Sequence, residues 1–145
     1  MAGENPKHSV SVAGVIVRAD DRVLAVRRAD NGAWEPPGGV LELDEEPQTG
    51  VVREVFEETG IRVTVGQLTG VYKNMKLGVV SLVFRCDPSA GTERTSNEST
   101  AVAWLTPDEV QECMSKVFAI RVLDALNGNG PQVRSHDGEC LISAG

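Results

Sequence analysis

Glu54, Glu57 and Glu58 are spaced three and four residues apart. On a helix that spacing gathers all three carboxylates on one face. Three like charges there destabilise an isolated helix, so the arrangement makes sense beneath hard cations with oxygen ligands. Magnesium fits best, with manganese as a substitute, because magnesium uses a few carboxylates, keeps water and bridges to phosphates. Glu42, Asp44, Glu45 and Glu46 lie just upstream, and Arg53 is the lone cation of this stretch. A solvated acidic face is the competing explanation of such a run.

Several elements must position these residues. Residues 47–59 read as the helix, with Pro47 tolerated in the first turn and Gly60 suited to a left-handed cap. Val51, Val52, Val55 and Phe56 supply its anchoring side. Gly50 costs roughly 1 kcal/mol relative to Ala inside a helix, so close packing is one reason to keep it. Residues 9–18 and 22–28 read as strands joined at Asp20-Asp21, a hairpin. Asn31-Gly32 and the run Pro36-Pro37-Gly38-Gly39 mark loops around Trp34. Gly38 and Gly39 permit positive φ and close backbone approach, which can bring N–H groups near phosphate oxygens.

Downstream, residues 61–72 and 79–85 read as strands, 88–100 as a polar loop and 101–105 as a short strand. Thr106, Pro107 and Glu109 form a capping box that opens a second helix. Residues 118–126 continue as helix after a break near Ser115. The glycine-rich stretch 127–145 reads as a flexible tail in which 132–134 could form a small strand. Strands, a helix, more strands and further helices suit an α/β sheet covered on two faces.

The stretch from Gly39 to Ile61 also resembles a family signature. It follows Gx5Ex7REUxEExGU, where U is bulky and aliphatic, through Gly39, Glu45, Arg53, Glu54, Val55, Glu57, Glu58, Gly60 and Ile61. Chance would produce that match roughly once in 10⁹ start positions at ordinary composition. The pattern is that of the Nudix hydrolases (MutT-like), and the resemblance extends through the Trp34-x-x-Pro37-Gly38-Gly39 element to roughly residues 9–126.

This resemblance implies a Nudix-type α/β/α sandwich with a mixed sheet, one domain over residues 1–126, and hydrolysis of a diphosphate linkage in a nucleoside diphosphate derivative. Glu54, Glu57 and Glu58 would be metal ligands, and one of them, or a loop glutamate, the base that activates water. Glu45 and Arg53 would support the site as an ion pair between loop and helix. A further ligand commonly comes from the loop before the last strand. Glu98 is preferred to Glu93 because it stands six residues before Trp104, as in many relatives. The family often has Ala at the position of Gly50, and Ser or Thr at that of Glu46; neither departure removes a ligand.

Arg27 and Arg28, at a strand end near the loop, are candidates for gripping phosphate, with exposed strand charges as the alternative. Trp34, Tyr72, Phe84, Trp104 and Phe118 are the stacking candidates for a base, Tyr72 foremost. ADP-ribose enzymes of the family often carry Pro where Leu77 stands, and dinucleoside-polyphosphate enzymes often carry a Tyr between Leu77 and Pro88, where this chain has none. Those departures favour a (deoxy)nucleoside triphosphate, oxidised ones included, giving monophosphate and pyrophosphate. ADP-ribose or a nucleotide sugar is the alternative.

Composition narrows the partners. The chain has 145 residues and a net charge of −7, without the basic stripe that a nucleic-acid polymer requires. No apolar run reaches the roughly 18 residues of a membrane span. The N-terminus has no apolar signal core, and the three cysteines lack metal or disulfide spacing, so a cytoplasmic location is expected. A nucleotide-sensing binding protein of the same fold is the non-enzymatic alternative, although such proteins usually lose glutamates that this chain keeps. A plain acidic metal-binding protein fits less well, because the D-x-D-x-D-G order is missing. Pairing of strands or tail into a homodimer is left open.

Overall fold

The computed structural model describes residues 4–143. The elements run β1 (Ser9–Ile16), β2 (Val23–Arg28), β3 (Trp34–Glu35), β4 (Gly38–Val40), α1 (Pro47–Thr59), β5 (Ile61–Asn74), β6 (Val79–Gly91), β7 (Ser99–Leu105), α2 (Pro107–Cys113), α3 (Lys116–Asn127), β8 (Gln132–His136) and β9 (Leu141–Ile142). A mixed six-stranded sheet has the order β4-β1-β6-β5-β8-β9, and a three-stranded sheet the order β3-β2-β7.

Alternation along β1 explains the layering. Val12 and Ile16 join Val51 and Val55 of α1 in one apolar cluster. Ala13, Val15 and Val17 join Val110 of α2 and Val122 of α3 in another. Helices therefore cover both faces, and the fold is an α/β/α sandwich.

The expected β1–β2 hairpin does not form. β1 pairs with β4 and β6 while β2 pairs with β3 and β7, leaving one isolated bridge between Val17 and Val23. Asp21 adopts φ 65° in the connecting turn, and the chain passes from one sheet to the other. Both strands carry apolar residues on both faces, so each needs a place inside a sandwich and not in a one-sided ribbon.

Two segments are more regular than their composition suggests. β6 continues to Gly91, through part of the expected polar loop. Its pairing with β1 ends at Cys86, so beyond that point one side is an edge where Pro88, without an N–H, is tolerated. Part of the expected tail is likewise ordered: β8 pairs in parallel with β5 from Gly70–Gln132 to Asn74–His136. Arg134 on β8 donates two hydrogen bonds of 2.8 Å to Asp124 of α3. Asp124 also accepts from the Tyr72 hydroxyl at 2.7 Å. A glycine-rich sequence hides this anchoring, which rests on pairing with the distant β5 and on the Arg134–Asp124 ion pair.

That cluster corrects the expectation for Tyr72. Its side chain is wholly buried and offers no face to a base. Burial, followed by the bond to Asp124, pushes its hydroxyl above the ordinary tyrosine range. Tyr72→Phe is expected to lower stability by about 1–2 kcal/mol, the loss of a hydrogen bond to a charged group, with KM for substrate unchanged. Denaturant unfolding and steady-state kinetics check both parts; a raised KM would restore Tyr72 to the site.

Candidate active site

Helix α1 carries the three candidate glutamates. Val51 and Val55 are fully buried, which fixes the rotation of the helix on the sheet. That rotation turns Glu54 and Glu58, each 8% exposed, toward β4 and leaves the Glu57 side chain 58% exposed. Gly60 closes the helix in the left-handed conformation at φ 77°, its N–H donating to the Phe56 carbonyl. Gly50 sits where an added Cβ would meet Leu41 Cδ1 at 2.7 Å and Glu45 Oε1 at 3.0 Å. Close packing is thus the physical reason for a glycine in mid-helix. Glu46 provides no side-chain cap.

The Pro36-Pro37-Gly38-Gly39 run turns out to contain a strand. β4 pairs antiparallel with β1 through Ala13–Gly38 and Val12–Gly39. Positive φ is not the reason for these glycines, since neither is among the positive-φ residues. Close approach is: a Cβ on Gly38 would overlap the Val12 carbonyl oxygen at 2.3 Å, and one on Gly39 would lie 2.6 Å from the Glu54 carboxylate.

Arg53 links the loop to the helix. Its Nε and Nη2 donate to the two oxygens of Glu45 at 2.6 and 2.8 Å. Its Nη1 reaches Glu54 at 2.8 Å and, more weakly, Glu57 at 3.3 Å. Glu45 also accepts from the Glu42 N–H at 3.2 Å. The Arg53 guanidinium lowers the Glu45 pKa.

Glu58 has no such partner. Burial, then the charge of Glu54, pushes its carboxyl up to about 8, against one backbone hydrogen bond from Gly38; Glu35 and Glu98 add to the rise. Glu54 is also raised, chiefly by burial. Unrelieved negative potential at buried oxygen donors is what a hard divalent cation would offset. Among the described residues no three acidic, His or Cys side chains form a ready-made cation cage. The donors instead line an open trough, which suits an ion that retains water and completes its shell with phosphate oxygens.

A cleft of about 840 Å³ contains this trough and is lined by Glu54, Glu58, Arg53, Gly38, Gly39, Arg28 and Glu98, among others. The loop holding Glu98 is pinned: its carbonyl accepts from the Ala29 N–H at 2.9 Å, its N–H donates to Ser96 Oγ at 3.1 Å, and Ser99 Oγ donates to the Glu58 carbonyl at 2.8 Å. Glu93 is engaged elsewhere, accepting from Trp104 Nε1 at 2.6 Å. Arg28 borders the cleft but is tied to Asp30 and Glu35. Arg27 is not among the residues lining it; its Nε donates to the Gly32 carbonyl at 3.1 Å. Adjacent strand positions point to opposite faces, so only one of the two arginines borders the site.

A second cleft, of about 370 Å³, shares Arg28, Gly38, Gly39 and Val40 with the first in its lining. Its walls include Pro36, Leu77, Val79, Val117 and Phe118, with Glu35, Arg121 and His136 as titratable groups. Glu35 and Arg121 were not singled out from the sequence. Arg121 left one signal, a cation inside the otherwise apolar run from Val117 to Leu123 of α3. Glu35, beside a double proline, left none.

The fold is an α/β/α sandwich that sets the buried carboxylates of Glu54 and Glu58 in a cleft beside a second one. A family model for the NUDIX domain matches residues 7–126, and the chain belongs to the Nudix hydrolase family. It is a pyrophosphohydrolase of that class, whose members generally use divalent cations and act on small nucleotide substrates. A MutT-like protein of Streptomyces ambofaciens is 74% identical over 140 residues, covering 97% of this chain and 91% of its own. The CTP pyrophosphohydrolase of Escherichia coli is 30% identical over 121 residues, covering 80% and 90%. The crystal structure of an ADP-ribose pyrophosphatase from Streptococcus suis superposes with a TM-score of 0.76 at 20% identity, covering 88% of this chain and 99% of that one. Among the described residues no helix is long and apolar enough to cross a membrane.

Proposed function

We propose that the chain hydrolyses a (deoxy)nucleoside triphosphate, oxidised ones included, to a monophosphate and pyrophosphate. The observation that carries this reading is that Gly38 and Gly39 line both clefts, the one with the buried glutamates and the one with Val117 and Phe118. A diphosphate lying over the glycines would meet the carboxylate trough, and the nucleoside would enter the apolar-walled lobe.

Glu54, Glu57, Glu58 and Glu98 would hold magnesium. When bound, magnesium offsets phosphate charge and acidifies an attacking water. The protein's part is positioning and electrostatics, as in phosphoryl transfer generally. Glu45, through Arg53, fixes the orientation of Glu54. The glycine strand lets phosphate approach without a side chain between. A carboxylate of the set takes the water proton while the water oxygen attacks phosphorus, the bridging P–O bond breaks, and pyrophosphate leaves with the electron pair. The S. ambofaciens and E. coli relatives, by their names, agree with a MutT-like or nucleoside triphosphate activity.

A substrate panel tests the proposal: nucleoside triphosphates, ADP-ribose, nucleotide sugars and dinucleoside polyphosphates, each with and without magnesium. Magnesium-dependent release of pyrophosphate from triphosphates, with kcat/KM at least 10-fold above the other classes, is the expected result. Preference for ADP-ribose or a nucleotide sugar would overturn the substrate assignment while leaving the hydrolase class intact.

A further inference from the structure

Arg121 is out of keeping with its surroundings. It lies on α3 and lines the smaller cleft, yet it is 7% exposed. Its guanidinium lies over two rings, 4.8 Å from the Phe118 centroid and 5.0 Å from that of Tyr72. A buried arginine ordinarily finds a carboxylate or several carbonyl acceptors. Here Nε is buried with no hydrogen-bond partner. Among the described residues the only side-chain contact of the guanidinium at hydrogen-bond range is Nη2 to His136 Nε2, 3.3 Å.

That contact does not satisfy it. The Gly138 N–H donates to His136 Nδ1 at 3.0 Å, so Nδ1 is the unprotonated nitrogen. A neutral imidazole carries one proton, which then sits on Nε2 and faces the guanidinium, donor against donor. Protonating the ring does not supply an acceptor either. Glu35 is near enough to act on Arg121 electrostatically but is bonded to Arg28. Tyr72 and Asp124 are already paired with each other and with Arg134. The cation is thus packed against two rings and short of acceptors, at the wall of a cleft that also presents Val117, Phe118, Leu77 and Val79.

We propose that Arg121 is the base-selecting residue of this enzyme, presenting its terminal nitrogens to two adjacent acceptors on the nucleobase. Guanine offers such a pair at O6 and N7, and cytosine at O2 and N3. Adenine and uracil offer none: the N6 amino donor stands beside both N1 and N7 of adenine, adenine N3 has no adjacent acceptor, and N3–H separates O2 from O4 in uracil. An arginine fork on such a pair is the commonest specific arginine–base contact and discriminates strongly against the wrong base. Phosphate is the less suitable occupant, since the diphosphate-binding features lie in the other lobe and the Phe118 and Val117 walls favour an aromatic ring. The proposal rests on the nucleotide reading above, and narrows it to guanine and cytosine nucleotides.

Kinetics with GTP, CTP, ATP and UTP, in the presence of magnesium, test it on the wild type, Arg121→Met and Arg121→Lys. The wild type should favour GTP or CTP over ATP and UTP by about 10- to 100-fold in kcat/KM. The separate GTP and CTP arms show which base is taken. Arg121→Met should lose that advantage, chiefly through KM, with the ATP and UTP values moving by less than about 3-fold. Arg121→Lys keeps the charge without the fork and should also lose the preference, which supplies the test if the Met variant does not fold. An equal fall with all four substrates, or a wild type that prefers ATP or UTP, overturns the proposal. If no triphosphate is turned over, calorimetric binding of GMP, CMP, AMP and UMP without metal still decides it, with GMP or CMP required to bind at least 10-fold tighter than AMP and UMP in wild type and not in Arg121→Met.

Discussion

Glu57→Gln and Glu58→Gln are each expected to reduce turnover by about 100-fold or more, the scale of losing a group that acts in proton transfer or charge stabilisation at the transition state. Glutamine keeps the length and shape of glutamate and removes the charge. Glu57 is exposed and its one partner, Arg53, has Glu45 and Glu54 as better ones, so its substitution leaves the fold intact. Glu58 is buried, but it has no cationic hydrogen-bond partner among the described residues, and a neutral amide is easier to bury than an unpaired carboxylate. Both variants should therefore show wild-type circular dichroism and undiminished thermal stability beside the lost rate. The split between kcat and KM at saturating magnesium distinguishes the roles. A KM-dominated loss points to metal and phosphate binding, and a kcat-dominated loss to proton transfer. Wild-type-like turnover in either variant would remove that residue from the catalytic set.

The four-residue interval made the juxtaposition of Glu54 and Glu58 legible in the sequence, because one helical turn stacks them on one face; Glu57 stays exposed and is not among the residues lining the cleft. The α1 boundaries, the Gly60 cap and the capping box of α2 likewise depend on neighbours in the chain. What was not legible depends on partners far away. β1 and β2 look like a hairpin because they are adjacent and Val-rich, but burial on both faces sends them into different sheets. β8 shows in the sequence only as a possible small strand at 132–134, because nothing within 127–145 shows that Asp124 and β5 will receive it. Tyr72 looks like a stacking residue until β8 and α3 close over it. The trough itself lay between these cases. Glu98 was placed by its distance from Trp104 on grounds of resemblance, and its juxtaposition with Glu58 comes from strand pairing and the Ser96 and Ser99 contacts. Glu35 and Arg121 depend wholly on the second lobe, which exists only once β8 and α3 are in place.

A second large effect concerns the pH dependence of stability in the metal-free protein. The Glu58 carboxyl lies at about 8 in the folded state, raised first by burial and then by Glu54, against an ordinary 4.5. Between those values the folded state retains a proton that the unfolded state has released. Stability therefore falls as pH rises through that window, with the full penalty present above about 8. Glu58→Gln removes the ionisation, so the variant should match the wild type near pH 4 and exceed it increasingly toward pH 8, by several degrees in Tm. Other shifted groups, such as Glu35 and His136, are common to both proteins and largely cancel in the difference. Magnesium should reverse the comparison. A cation bound over the trough stabilises the charged form of Glu58, so adding it at pH 8 should raise the wild-type Tm substantially and that of Glu58→Gln less. Thermal melts of both proteins in chelator and in millimolar magnesium, across pH 4 to 9, provide the measurement. A Tm difference that stays flat with pH would show that Glu58 is not held protonated by its surroundings. A magnesium response equal in both proteins would show that the cation does not use it. The melts need no substrate, so they test the metal-binding role of the trough independently of which nucleotide the second lobe accepts.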